Sequence, residues 1–163
     1  MKTKRTHGMF EIKNTKKKIY LAAGWFNQVQ AEELTQLEEI CDSKEWIDLA
    51  SPRRIFVCPP GAPKETQDAT FDGNLQHIKT ADFLIVNTRD KDIGTIWEAG
   101  YAFANEVPIV YFCNGLPSGA KFNLMLARSG AKVCTSFDQL EDYLNRCNTD
   151  GSLLYEPYDQ EIE

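Results

Sequence analysis

The sequence has 163 residues, of which 42% are hydrophobic and 26% are charged, so its length suits a single domain with a sizeable apolar core. Its formal net charge of −6 argues against a partner held through a nucleic-acid phosphate backbone. No apolar stretch approaches the roughly 18 residues of a membrane-spanning helix. We therefore expect a cytoplasmic protein with neither a membrane nor a nucleic-acid partner.

The cysteine and histidine content gives no metal signature. Five cysteines form no C-x-x-C pair, and two histidines are too few for a His-based cluster. The G-x-G-x-x-G and G-x-x-x-x-G-K-[ST] signatures of dinucleotide and P-loop sites are also absent. We expect no metal and no cofactor.

The first residues differ in charge from the rest of the chain. Residues 1–18 contain seven Lys or Arg and only one acidic residue, Glu11. Scattered basic residues without interleaved aromatics are typical of a solvated tail. We predict a flexible basic arm over residues 1–17 and one folded domain over residues 18–163.

Apolar runs alternate with amphipathic segments along that domain, which predicts five strands separated by helices. The predicted strands cover residues 18–23, 54–58, 82–87, 107–112 and 130–134. The predicted helices cover residues 28–43, 69–80, 122–127 and 136–146, with one more beginning at Thr95. Continuously apolar strands joined by helical crossovers are typical of a parallel sheet buried on both faces. The fold class is therefore α/β, a single three-layer domain with a five-stranded parallel sheet, Rossmann- or flavodoxin-like.

Glu98 is the residue of greatest chemical interest, because it follows the loop after the third predicted strand, where ligand sites of such sheets lie. Thr95 and Glu98 have the T-x-x-E spacing of a capping box, in which both side chains bond backbone groups. Alternatively, Glu98 is a carboxylate near a helix N-terminus, held ionised by the helix dipole and able to act as a nucleophile. Asp92 could supply a second carboxylate.

Four stretches in order resemble the nucleoside 2-deoxyribosyltransferases. The segment DKDIGTIWEAGYA resembles the D-x-G-T-x-x-E-x-G-x-A motif of that family, and IYLAAGWF (residues 19–26), NLQHIKTAD (74–82) and FNLM (122–125) match further motifs. Together they span about a hundred residues. The resemblance implies 2′-deoxynucleosides and free nucleobases as substrates.

The resemblance also implies roles for individual residues. Glu98 would be the nucleophile, Asp92 would lie near the sugar, and Tyr20 would hydrogen-bond the glutamate. Gly24, Trp25 and Phe26 would line the nucleoside pocket; the alternative for both aromatics is core packing, and packing would explain Tyr20 equally well if it lay on the wrong face of its strand. Gly94, Asn123 and Met125 are further substrate-binding candidates, and the matching asparagine reaches a neighbouring subunit's active site in some members.

One position departs from the family pattern. Where the family has an aspartate that assists the leaving base, this sequence has Asn74, which cannot transfer a proton. Either Asp72 takes over that role or the preference among bases changes.

The implied reaction moves 2-deoxyribose between nucleobases by double displacement, through a covalent deoxyribosyl-glutamate. A nucleoside or nucleotide N-glycoside hydrolase on the same scaffold, or a non-catalytic nucleotide-sensing module, are the alternatives. The resemblance further implies a homo-oligomer, a hexamer assembled from dimers.

Overall fold

The computed structural model describes residues 16–163. Its strands are β1 (Lys17–Ala22), β2 (Ile47–Ala50), β3 (Phe83–Asn87), β4 (Ile109–Phe112) and β5 (Lys132–Cys134). Its helices are α1 (Gln28–Asp42), α2 (Pro52–Ile55), α3 (Lys64–Thr80), α4 (Ile93–Ala104), α5 (Leu124–Ser129) and α6 (Phe137–Asp150). A short 3₁₀ turn, Arg89–Lys91, lies between β3 and α4.

The five strands form one parallel sheet in the order β2-β1-β3-β4-β5. This is the flavodoxin-like order, and the predicted α/β fold with a five-stranded parallel sheet is confirmed. The strand order reverses direction between β1 and β3, which pair directly, with Ile19 opposite Phe83. Ligands of doubly wound sheets bind beyond the carboxyl ends of the strands at such a switch point. We therefore expect a ligand site at the loops that follow β1 and β3.

Helices cover both faces of the sheet, because successive strand residues point to opposite sides. On one face Ile19, Leu21, Phe83 and Ile85 pack with residues of α1 and α6. On the other face Tyr20, Ala22, Leu84 and Val86 pack with residues of α3, α4 and α5. Residues of β3 are buried throughout, which explains its unbroken apolar run.

The prediction that residues 54–58 form the second strand is wrong. The strand is Ile47–Ala50, and Arg54 belongs to the short helix α2, which Pro52 opens. β2 is an edge strand in which only Ile47 is fully buried, so its sequence shows no continuous apolar run. The more apolar RIFVC segment is instead largely at the surface, and Val57 is 72% exposed.

The remaining predicted elements are present with shifted ends. α3 begins five residues before the predicted start, and α4 begins at Ile93 rather than at Thr95. Of the basic arm predicted over residues 1–17, only the last two residues are described, and Lys17 is already the first residue of β1. Among the helices of residues 16–163, none has both the length and the apolar character needed to cross a membrane.

Candidate active site

Tyr20 and Glu98 are directly bonded to each other. Tyr20 lies on β1 with 1% of its surface exposed, and its hydroxyl donates a hydrogen bond of 2.7 Å to Oε1 of Glu98. Glu98 is in the second turn of α4, on the face that packs against the sheet next to β1. This bond occupies one carboxylate oxygen and leaves Oε2 without a hydrogen bond to any described residue.

The start of α4 is capped by Asp92, not by the predicted Thr95–Glu98 capping box. Oδ2 of Asp92 accepts hydrogen bonds from the backbone N–H of Thr95 at 2.9 Å and from its hydroxyl at 2.8 Å. The capping interpretation of Glu98 is therefore wrong, because the helix begins two residues earlier than predicted. The side chain of Asp92 accepts the hydrogen bonds at the first turn of α4. The carboxylate of Glu98 takes no part in capping the helix.

Burial dominates the electrostatics of Glu98. Burial raises its pKa to about 7; the hydrogen bond from Tyr20 opposes this rise, and the negative charge of Asp92 adds to it. We expected the helix dipole to hold Glu98 ionised, but Glu98 lies in the second turn of α4, and the dipole effect falls off within the first turn. Burial likewise raises the pKa of Tyr20, so Tyr20 remains a hydrogen-bond donor throughout the physiological range. A glutamate with a pKa near neutrality next to a fixed donor is typical of catalytic carboxyls.

The loop after β1 contains two stacked aromatic rings. The ring centroids of Trp25 and Phe26 are 5.7 Å apart, with an interplanar angle of 15°. Trp25 is 38% exposed and Phe26 is 76% exposed. The core-packing interpretation of both residues is therefore wrong. Gly24 is buried, and a Cβ at this position would lie 3.0 Å from Oε1 of Gln30, a side chain that itself accepts a hydrogen bond from the Phe26 backbone. The glycine lets the loop pass close to α1.

Asn74 lies on the face of α3 that is turned toward α4 and the sheet. Three residues before it, Phe71 packs on Trp97 with 5.8 Å between ring centroids, and four residues after it, Ile78 is fully buried in the cluster that contains Tyr20. Oδ1 of Asn74 is shielded from solvent and has no hydrogen-bond partner among the described residues. A buried unpaired acceptor costs about 1–3 kcal/mol, which indicates that its partner is a ligand or water.

Asp72 has a different environment. It is exposed, and two residues along a helix correspond to a rotation of about 200°, so it lies on the side of α3 opposite Asn74. Gly73 between them contacts the ring of Phe56 so closely that an added Cβ would lie 2.3 Å from it. Asn74 thus has a buried acceptor on the inner side of α3, and Asp72 is exposed on the outer side.

Asn123 and Met125 lie elsewhere. Oδ1 of Asn123 caps α5 by accepting hydrogen bonds from the backbone N–H groups of Met125 at 3.0 Å and Leu126 at 3.3 Å. Met125 is 74% exposed and lines an apolar groove of about 520 Å³ with Ala99 and Gly100 of α4. Neither Tyr20 nor Glu98 lines this groove.

Gly94 occupies the first turn of α4. A Cβ there would lie 3.5 Å from Oδ2 of Asp92, an ordinary contact, so a side chain would fit. Within residues 16–163, no three His, Cys, Asp or Glu side chains are placed to hold a metal ion.

Sequence reasoning missed the polar residues of α1 that hold these loops. Asn27 caps α1, while Gln30 and Glu33 are buried next to the loops that follow β1 and β3. Their spacing in the sequence could have shown that they are buried, since Gln30 and Glu33 lie on the same face of α1 as Leu34, Leu37 and Cys41. Polar residues on an apolar stripe indicate buried hydrogen-bonding partners.

The family model described as nucleoside 2-deoxyribosyltransferase matches residues 19–127, about two thirds of the chain. The chain belongs to the nucleoside 2-deoxyribosyltransferase family. The match begins in β1 and ends in α5, so it includes every candidate site residue discussed above. Family membership implies an enzyme whose substrates are nucleosides and nucleobases. A comparison with curated proteins finds no significant match.

One solved structure agrees with this assignment, and two others share the fold. A 2-deoxyribosyltransferase from Bacillus psychrosaccharolyticus is 28% identical and superposes with a TM-score of 0.71, covering 87% of this chain and 99% of that one. A conserved protein from Enterococcus faecalis V583 is 17% identical, with a TM-score of 0.62 and coverage of 81% and 99%. A CMP N-glycosidase from Clostridium botulinum is 15% identical, with a TM-score of 0.53 and coverage of 79% and 99%. The last two share the fold of this nucleoside 2-deoxyribosyltransferase family member.

Proposed function

We propose that this enzyme transfers 2-deoxyribose from one nucleobase to another through a covalent intermediate on Glu98. The observation that carries the proposal is the partly buried Glu98 carboxyl group, bonded to Tyr20 on one oxygen and situated at the switch point of the sheet. Breaking an N-glycosidic bond develops positive charge on the sugar. An ionised carboxylate beneath C1′ stabilises this charge and can form a bond to the carbon.

In the first half-reaction Oε2 of Glu98 attacks C1′ while the bond from C1′ to the base breaks. The base leaves with the bonding electron pair and then takes up a proton. Tyr20 donates to Oε1 throughout and so fixes the orientation of the carboxylate. In the second half-reaction a nitrogen of the acceptor base attacks C1′, Glu98 leaves as a carboxylate, and the acceptor nitrogen loses its proton. Two inversions at C1′ retain the original configuration.

Asp92 is the second carboxylate of the proposed site. Its Oδ2 is used in capping α4, which fixes the side chain and leaves Oδ1 to accept a hydrogen bond from a sugar hydroxyl. Its negative charge also helps to stabilise the cation-like sugar. The proposed chemistry draws on carboxylates and hydrogen bonds, and it requires neither a metal nor a cofactor.

Asn74 and the aromatic pair are proposed to hold the base. The faces of Trp25 and Phe26 are accessible for stacking, and the amide of Asn74 offers both a donor and an acceptor. Because an amide cannot supply a proton and Asp72 lies on the other side of α3, we propose that the departing base is protonated by solvent.

The charges at the site favour nucleosides over nucleotides. Arg89, in the loop leading to Asp92, is paired with the buried carboxylate of Glu33. Its charge is therefore already compensated, and the neighbouring Asp90, Asp92 and Glu98 are unfavourable for a phosphate group.

A hydrolase remains the competing function, because a CMP N-glycosidase shares this fold and water could replace the acceptor base. A nucleotide-sensing module without catalysis is the third possibility. An assay with deoxyadenosine plus cytosine, followed by chromatography, separates the three. Transfer yields deoxycytidine, hydrolysis yields free deoxyribose, and a sensing module yields neither product.

We also propose that the enzyme self-associates through the apolar groove between α4 and α5, as a hexamer by family resemblance. Leu124 and Met125 are exposed by 44% and 74% there, and Asn123 lies at the start of the same helix. A second copy is the proposed occupant, and it would receive Asn123 near its own site. Sedimentation that shows a fully active monomer would contradict both points.

A further inference from the structure

Glu33 is a buried carboxylate at the carboxyl ends of β3 and β4. It is 4% exposed, and Arg89 donates to its Oε1 from both Nε, at 3.1 Å, and a terminal nitrogen. Asn114 donates to the same oxygen at 3.1 Å, and Asn87 donates to Oε2 at 3.1 Å. One side chain of α1 thus binds the segments that follow two neighbouring strands.

Glu33 is ionised in this setting. Burial alone would raise its pKa, but the hydrogen bonds from Arg89, Asn87 and Asn114 and the charge of Arg89 hold the pKa below its usual value. Removing either partner of this ion pair leaves the other charge without its main compensation.

The turn that Arg89 opens is strained. Asp90 and Lys91 have φ angles of 58° and 52°, the left-handed region that non-glycine residues rarely adopt. Such a backbone conformation is unfavourable for a residue with a side chain, and it persists only where the surroundings impose it. Here Glu33 holds Arg89 on one side of the turn, and Asn27 donates to Asp90 at 2.9 Å on the other. Both supports come from the first two turns of α1.

The strained turn leads directly to Asp92. Asp92 caps α4, and α4 carries Glu98, so the placement of both carboxylates depends on where this turn ends. A shift of about 1 Å in a reacting group can reduce a rate about 10²-fold. Glu33 touches neither Asp92 nor Glu98, yet it is connected to both through Arg89.

We propose that Glu33 is a positioning residue, which acts through Arg89 to hold the Asp92 loop and the start of α4 in the catalytic arrangement. The kinetic part of this inference rests on the function proposed above. The geometric part concerns the loop alone and can be measured without turnover.

The same helix provides a matched control. Glu38 is also buried, at 2% exposure, and also accepts hydrogen bonds from an arginine, Arg53, and from Ser51. It forms a second ion pair with Arg54 at 3.0 Å. Glu38 therefore resembles Glu33 in burial and chemistry, but it binds the segment after β2 instead of the Asp92 loop.

The test compares Glu33→Gln with Glu38→Gln, with Arg89→Lys as a second way to weaken the same contact. Both glutamate variants should lower the free energy of unfolding. At a temperature at which all are folded, Glu33→Gln should lower kcat at least tenfold with a smaller change in KM, and Arg89→Lys should act in the same direction. Glu38→Gln should keep kcat within twofold. The double variant Glu33→Gln with Arg89→Lys should be no slower than the slower single variant, because both remove one interaction.

Amide hydrogen exchange provides the readout that is independent of activity. Exchange should accelerate over residues 88–95 in Glu33→Gln, and over residues 51–56 in Glu38→Gln. Unchanged exchange over residues 88–95 in Glu33→Gln would overturn the proposal even if the enzyme had another activity. An equal loss of kcat in both glutamate variants would also overturn it, since the effect would then be general destabilisation. If the wild type only hydrolyses nucleosides, the proposed transfer function is wrong. The Glu33→Gln and Glu38→Gln variants are then compared by the rate at which they release the free base.

Discussion

The Tyr20 hydroxyl lies 2.7 Å from Oε1 of Glu98, although the two residues are 78 positions apart in sequence. Tyr20 is fixed in a β-strand and Glu98 in a helix, so neither side chain depends on a flexible loop. The donor stays protonated because burial raises the pKa of Tyr20. The carboxylate is consequently held in one orientation with one oxygen free.

The first prediction concerns Glu98 as the nucleophile. Replacing Glu98 with Ala or Gln should reduce transfer by about 10³-fold or more while the fold is retained. Far-ultraviolet circular dichroism and the chromatographic assay check the two halves of this expectation. A Glu98→Ala variant that keeps more than about a tenth of the wild-type rate would show that the carboxylate is structural.

The second prediction is the effect of pH on stability. The pKa of Glu98 is about 7 in the folded protein and near 4.5 in the unfolded chain, so the folded state binds the proton more tightly. The stabilisation from this group is complete below pH 4.5 and is lost as pH rises through 7. Glu98→Gln carries no such charge, so its melting temperature relative to wild type should rise between about pH 5 and pH 8. A constant difference across that range would show that burial does not raise this pKa.

The third prediction uses Tyr20→Phe, which removes the hydroxyl and keeps the ring in the core. The hydrogen bond from Tyr20 lowers the pKa of Glu98, so its loss should raise that pKa above 7. Since the ionised form attacks, the rising limb of kcat/KM against pH should move to higher pH, and kcat should fall about tenfold or more. Tyr101→Phe serves as the control, because Tyr101 is partly buried next to the same core cluster and stacks on Trp97, but Tyr20 is the tyrosine that donates to Glu98. This variant should leave the profile unchanged.

The fourth prediction separates Asn74 from Asp72. Asn74→Asp should change the ratio of rates with a purine and a pyrimidine donor, because a carboxyl group and an amide assist different base atoms. Asp72→Ala should leave both rates within about twofold, as expected for an exposed side chain away from the site. Abolition of both reactions by Asp72→Ala, with no effect of Asn74→Asp, would instead make Asp72 the acid.

The fifth prediction is discrimination at the sugar. We expect Tyr20 to lie against C2′ while Trp25 and Phe26 hold the attached base, so that a ribose hydroxyl has no partner. An unpaired buried hydroxyl costs about 1–3 kcal/mol, which corresponds to about 5- to 150-fold in kcat/KM. Competition between adenosine and deoxyadenosine as donors measures this ratio directly. Equal turnover would show that the pocket is open at C2′.

The sequence was sufficient for the sheet because its central strands are buried on both faces and so have unbroken apolar runs. It failed at β2, since an edge strand with one fully buried residue has no such run. Helix starts were displaced where the cap was Asp92 instead of the residue that the capping-box spacing favoured. The Tyr20–Glu98 bond followed from family resemblance, whereas no local pattern predicts a contact across 78 residues.

The polar support of the site was the least predictable part. Glu33 and Glu38 look alike in sequence, and only the tertiary structure shows that one holds the Asp92 loop and the other the segment after β2. The pKa of Glu98 could not be anticipated either. It is raised by burial, which depends on how α4 packs on the sheet and not on the local sequence.

The burial of Glu98 has a consequence for the lifetime of the glycosyl ester. A carboxylate loses hydration when it is buried, whereas an ester carries no charge and loses little. The surroundings that favour the protonated acid therefore favour the ester for the same reason. In the proposed double displacement, the deoxyribosylated protein is then a resting state that waits for a nucleobase. Exclusion of water from the same region would make the sugar more persistent on the enzyme than the chemistry of a simple glycosyl ester suggests.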